Sequence, residues 1–153
     1  MNKRYIELKD SPVEHSKRAY ENGFFVEAIQ VLHSNIEASL RMTLQVISLD
    51  KPHDGNICDI EKMSLDISYL DLVKVFHAMG LVKKAMCEDL IHFNSMRNKI
   101  IHKLLLHAQI EGGKKIEKTE YDKAFRLGIK LDSEACNLIV ESDSIVNTSK
   151  KKE

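Results

Sequence analysis

Glycine and proline are scarce, at six and two in 153 residues. These residues punctuate chains, so their scarcity argues against many short strands and tight turns and favours a few long helices. No window approaches the roughly 18 uncharged apolar residues of a membrane span. The N-terminal MNKRYIELKD has no apolar run of the kind a signal peptide needs, which makes the cytoplasm the default compartment and gives no reason to expect a membrane partner. Cys58, Cys87 and Cys136 form no C-x-x-C pair and are odd in number, which fits free thiols in a reducing compartment. A glycine-rich phosphate loop and a G-x-S-x-G elbow are both missing, which argues against a nucleotide hydrolase or an esterase. No carboxylate cluster supports a metal site, and nothing calls for a cofactor.

Net charge is absent too: lysine plus arginine equals aspartate plus glutamate, at 23 each, so the whole chain carries no bias toward nucleic acid or membrane. The distribution is uneven. Residues 83–130 hold 11 basic and 6 acidic side chains, net +5, which leaves 12 and 17, net −5, for the remainder. With 43% hydrophobic and 30% charged residues, the composition is that of one ordinary globular domain.

Periodicity predicts an all-α, up-and-down bundle of four main helices plus a short N-terminal one, in a single domain over 12–146 between an arm (1–11) and a charged, disordered tail (147–153). Ser11-Pro12-Val13-Glu14 is a capping box with proline at the first helical position, and it predicts a helix to Glu21. Asn22-Gly23 stops it. Apolar residues at three- and four-residue spacing from Phe25 to Ile47 predict a second helix from Phe24 to about Ser48, roughly 36 Å long. Residues 50–65, with Pro52 and Asp54-Gly55, read as a loop. A third helix is expected from about Asp66 to Met79, ended by Gly80. A fourth runs from Leu81 or Lys84 to His107. A fifth, capped by Thr119 with Asp122, runs to about Val146. The long second and fourth helices are expected to pack together.

The fourth helix carries the feature that needs explaining. Counted at 100° per residue, Met86, Leu90, Phe93, Ile100, Ile101 and Leu104 share one side, and Arg97 falls among them. An unpaired cation taken out of water costs several kcal/mol, so Arg97 needs a carboxylate, an anionic ligand or a wet cleft. Glu37, on the second helix, is the candidate carboxylate. His102 lies five residues on, roughly 140° away on a regular helix. The two side chains meet in one chain only if the helix bends, loosens or ends nearby; otherwise a second copy brings its own pair alongside.

The run Arg97-Asn98-Lys99-Ile100-Ile101-His102 resembles the R-x-x-x-x-H signature, with a polar residue after the arginine, of the HEPN superfamily (higher eukaryotes and prokaryotes nucleotide-binding). The segment Ala19 to Ala28, AYENGFFVEA, followed by Ile36-Glu37-Ala38-Ser39-Leu40-Arg41, is similar to that family's first helix pair, and the resemblance covers about residues 12–110. It implies a metal-independent endoribonuclease acting as a dimer through the fourth helix, with RNA as substrate. Arg97 would hold phosphate oxygens and stabilise their growing charge. His102 would move a proton at the ribose 2′-hydroxyl or the leaving 5′-oxygen, giving a 2′,3′-cyclic phosphate. Asn98 would orient the phosphate or the imidazole, and Lys99 and Lys103 would add positive potential. Some toxins of this family carry a modifiable tyrosine two residues after the histidine. Leu104 stands there in this chain, which argues against that route of neutralisation, while a protein or RNA antitoxin of another type stays open.

Simpler readings stand beside these. Arg97 is also explained as a structural residue paired with Glu37, its stem buried. His102 on a polar face is explained as a solvated side chain, and His92 and His107 as surface residues. Met86 and Met96 serve as core filling. The rival to an enzyme is a non-catalytic HEPN-like bundle that dimerises or binds a protein or nucleotide, a reading that the balanced net charge favours.

Overall fold

The computed structural model describes residues 9–49, 57–106 and 116–149, and all regular structure among them is helical. The helices are α1 (Pro12–Glu21), α2 (Phe25–Leu49), α3 (Ile57–Asp66), α4 (Tyr69–Ala78), α5 (Lys84–Ile101), a π-helical turn continuing α5 over His102–Leu106, and α6 (Lys118–Ser149).

Local chemistry sets the boundaries. Ser11 caps α1, its hydroxyl accepting the Glu14 backbone N–H at 3.3 Å, with Pro12 at the first turn. At the other end Gly23 takes φ 80° while the N–H of Phe24 reaches the Ala19 carbonyl at 2.8 Å and that of Gly23 reaches Tyr20 at 3.1 Å. This is the Schellman arrangement, in which a left-handed residue satisfies the orphan carbonyls. Gly80, at φ 73°, ends α4 in the same way. Ser68 caps α4 by accepting the Asp71 N–H at 3.2 Å, so α4 begins at Tyr69 rather than at Asp66. The expected Thr119–Asp122 cap does not form. The Glu117 carbonyl opens α6, and the Asp122 carboxylate instead takes bonds from Tyr20 Oη and Lys118 Nζ.

The three long helices alternate in direction. Tyr121 bonds the Phe25 carbonyl, Asn35 bonds Asp132, and the Ser39 hydroxyl lies 3.7 Å from Cys136 Sγ; residue numbers rise together, so α2 and α6 run parallel. On α5 the order reverses, with Asn94 meeting His33 and Arg97 meeting Gln30, and with Lys130 meeting Asp89 and Lys99 meeting Glu120. The α2–α5 packing expected from length is present, but α6 is the more extensive partner of α2. Gly128 explains how closely they approach: a Cβ there would lie 2.7 Å from the Phe93 ring and 3.0 Å from Leu32 Cδ1. The core comprises Ala28, Ile29, Leu32, Ile36 and Leu40 of α2, Leu72, Val73 and Phe76 of α4, Leu90, Phe93 and Ile100 of α5, and Ala124, Leu131 and Ala135 of α6. Each fully buried large side chain contributes about 1.5–3 kcal/mol.

Two expectations need correcting. Residues within the expected 50–65 loop form α3, which exposes Met63 and Leu65 and is anchored by polar bonds: Arg41 donates to the Ser64 and Ile67 carbonyls, and the buried Ser64 hydroxyl accepts from Gln45 at 2.8 Å. A guanidinium at a helix C-terminus satisfies carbonyls that have no partner within the helix and opposes the dipole. Asn147 to Ser149, expected to belong to the tail, continue α6. The arm over residues 1–8, the 50–56 connection, His107 and residues 150–153 lie outside the described residues.

Candidate functional site

Residue for residue, α2 carries a polar ladder beside its apolar one. Ile29, Leu32, Ile36 and Leu40 are fully buried; Gln30, His33, Glu37 and Arg41 follow one position behind, at the same three- and four-residue spacing. A shift of one residue rotates the row by roughly 100°, away from the core centre and onto α5 and the α3–α4 junction. Arg97 enters this ladder from α5.

Arg97 is half-buried. Its Nε and Nη2 both donate to Gln30 Oε1, at 3.0 and 2.5 Å, and its Nη1 donates to Asn98 Oδ1 at 2.6 Å. Guanidinium has five N–H donors, and these bonds use three. Both acceptors are neutral amides, so they orient the group without cancelling its charge. The expected partner, Glu37, does not pair with it. Its Oε1 accepts from Arg41 Nη2 at 2.5 Å and its Oε2 lies 3.9 Å from His33 Nδ1. Glu37 sits one and two turns further along α2 than His33 and Gln30, and Arg41, a turn beyond it, reaches its carboxylate first. Burial lowers the Arg97 pKa from its ordinary value, with the Glu37 charge opposing; arginine stays protonated through such shifts.

His33 is the buried imidazole of the cluster. Its Nε2 lies 3.0 Å from Asn94 Oδ1 and its ring is 4.5 Å from that of Tyr69. Burial first, and then the charge on Arg97, hold it below the ordinary histidine value, against the Asn94 bond and Glu37. Neutral His33 fits the geometry, with Nε2–H donating to Asn94.

His102 is exposed at the junction where α5 passes into the π-helical turn. Its backbone N–H still bonds the carbonyls of Asn98 and Lys99, which is α-type spacing, so the widening starts only after the interval that separates it from Arg97. The turn therefore does not swing the two together, and no bond joins them among the described residues. Asn98 is engaged with Arg97 rather than with the imidazole. Lys99 and Lys103 straddle Glu120, at 2.5 and 3.6 Å. Lys99 is pushed above its ordinary value first by that bond, and Glu120 is held below its own first by the bond from Lys99. The two lysines thus share one compensating carboxylate, and their contribution to an anion-attracting field is smaller than two free cations would give.

No family model, no curated protein and no solved structure matches this chain. What the site can do must therefore come from its chemistry. Among the described residues no group of three or more His, Cys, Asp or Glu side chains could hold a metal ion, and no helix is long and apolar enough to cross a membrane. Two of the Arg97 N–H groups have no bond among the described residues, and Glu37 acts on its charge only from beyond ion-pair distance. The chemistry on offer is therefore that of a fixed guanidinium able to take an anion. Gln30, His33 and Asn94 are the members that periodicity reading missed. The one-residue offset between the polar and apolar rows of α2 is the signal that would have found the first two.

Proposed function

We propose that the chain is a dimeric, metal-independent endoribonuclease of HEPN type, cutting RNA by attack of a ribose 2′-hydroxyl on the adjacent phosphate to leave a 2′,3′-cyclic phosphate, in a toxin or defence role. The observation that carries this reading is the bonding of Arg97. A structural arginine in a half-buried setting is expected to pair with a carboxylate, whereas this one is aimed by the Gln30 and Asn98 amide oxygens and touches no carboxylate among the described residues. A phosphodiester supplies the missing anion, and the planar fork then stabilises the charge that grows on its oxygens.

Proton transfer falls to His102. Since α-helical spacing turns it away from Arg97 within one chain, the reading requires two chains, with α5 of each near a two-fold axis so that Arg97 of one copy faces His102 of the other. Asn98 acts by holding the guanidinium. The second reading, a non-catalytic dimeric binding module on the same scaffold, is favoured by one specific observation, the partial neutralisation of Lys99 and Lys103 by the one carboxylate of Glu120. Incubation of labelled structured RNA in EDTA with wild type, Arg97→Ala and His102→Ala separates them. The enzyme predicts cyclic-phosphate ends and losses of about 10²–10³-fold for Arg97→Ala and about 10²–10⁴-fold for His102→Ala. Uncut RNA, or equal cutting by all three proteins, supports the binding module.

A further inference from the structure

Phe24 stands out among the five phenylalanines. Phe76, Phe93 and Phe125 are buried and Phe25 is partly so, but Phe24 is 61% exposed. Its backbone position makes the exposure unusual. In the two Schellman turns, Phe24 and Leu81 occupy the same place, the one that ordinarily folds an apolar side chain back onto the helix. Leu81 packs against the core; Phe24 leaves its ring in water.

The ring borders a cleft. An open cavity of about 450 Å³ is lined by Gly23, Phe24, Phe25, Val26, Glu27 and Gln30, a volume within the range of small-ligand sites. Gln30 is the residue whose amide oxygen holds Arg97, so the cleft runs from an exposed aromatic face to the side chain that positions the guanidinium. Its one carboxylate, Glu27, is bonded to His15 at 2.7 Å, a contact that fixes its position without removing its charge when the imidazole is neutral. A smaller cavity of about 150 Å³ that shares Phe24 and Glu27 with it contains His15 and Arg18, but Arg18 is paired with Asp10. The pull on an anion therefore comes from the Arg97 side.

We propose that Phe24 is a stacking platform for an unpaired base of the RNA whose phosphate Arg97 holds, a subsite that makes the substrate single-stranded next to the cleavage point. This rests on the ribonuclease reading above. Phe24, the residue before α2, and Gln30 lie six residues apart, about 9 Å along the helix axis, and stacked nucleotides rise about 3.4 Å each. The stacked base thus belongs to a nucleotide a few positions from the bound phosphate. Single-stranded RNA is commonly read by stacking on aromatic rings, which tolerates any base.

The chain contains no tryptophan, so Phe24→Trp introduces a sole indole reporter at an exposed position. The probe is a short 2′-O-methyl oligonucleotide, which lacks the attacking hydroxyl, together with an abasic oligomer of equal length. Saturable quenching by the base-bearing oligomer only, with an affinity loss of about five- to hundredfold in Phe24→Ala, is the expected result. Binding that depends on Arg97 but neither quenches the indole nor responds to Phe24→Ala overturns the platform and leaves the ribonuclease reading standing. Affinity indifferent to both Phe24 and Arg97 overturns both. Indole emission that changes on dilution of the protein alone places a second copy over Phe24 and also overturns the proposal.

Discussion

Replacing Gln30 with glutamate puts a carboxylate where Arg97 now has a neutral acceptor. The side chains are nearly the same shape, and the bonds of 2.5 and 3.0 Å to Nη2 and Nε can be kept, so the variant changes charge with little change of geometry. A phosphate on the remaining edge of the guanidinium would then lie about 6 Å from the new carboxylate, where 332/(εr) at an effective dielectric of 20–40 gives roughly 1.4–2.8 kcal/mol of repulsion. Binding of a non-cleavable oligonucleotide is therefore expected to weaken about ten- to hundredfold. The salt dependence of log K should become shallower by up to about 0.7, the slope belonging to one neutralised phosphate on a single strand. The fold should hold, because a partly exposed Glu–Arg pair adds about 0–1 kcal/mol. Fluorescence anisotropy from low to moderate salt, with a urea midpoint for each protein, reads both quantities. Unchanged affinity in a folded variant would falsify the view that Arg97 is an anion receiver.

Three further outcomes follow from other parts of the molecule. Gly128→Ala forces a methyl group against Phe93 and Leu32, an overpacking cost of about 1–3 kcal/mol that exceeds the gain of about 1 kcal/mol in helix propensity; the urea midpoint should fall. His33, with a folded-state value below its unfolded one, binds fewer protons when folded. Its contribution to stability is complete above the ordinary value of about 6.5 and shrinks as pH drops through it, so His33→Gln should flatten the loss of stability measured on acidification from neutral pH. Asp132 is raised by burial against the bond from Asn35. Ionising it costs stability at neutral pH, so Asp132→Asn should be as stable as wild type or more stable there, with the difference closing as pH falls toward the ordinary carboxylate range.

Much of the helical framework is legible in the sequence because its signals are local. Ser11-Pro12, Gly23 and Gly80 act through a turn or less of chain, and the apolar row from Ile29 to Leu40 announces a buried face wherever its partner lies. What escapes such reading depends on partners distant in sequence. Helix α3 has two exposed large apolar side chains and turn-forming residues just before it, and its anchoring comes from Arg41 and Gln45, 23 and 19 residues away from Ser64. The parallel course of α2 and α6 rests on pairs such as Tyr121 with Phe25, 96 residues apart, with Gly128 permitting the approach. At the site, 100° counting is enough to put Arg97 on the apolar side of its helix. It does not supply the partner: Glu37 is plausible by charge, and only the packed register shows that Arg41 takes that carboxylate and leaves Arg97 to Gln30. The same counting turns His102 away from Arg97, and the π-helical turn starts too late to bring it back.

The claim on which the function rests is that the guanidinium of one copy and the imidazole of another make a single site, and mixing two inactive chains tests it most directly. Arg97→Ala and His102→Ala proteins, each unable to cut RNA alone, are unfolded together and refolded in equal amounts. Half of the resulting dimers are mixed, and each of these holds one complete pair out of two, so recovery of about a quarter of wild-type cleavage is expected for sites shared across a two-fold axis. A mixture as inactive as its parents would contradict the shared site.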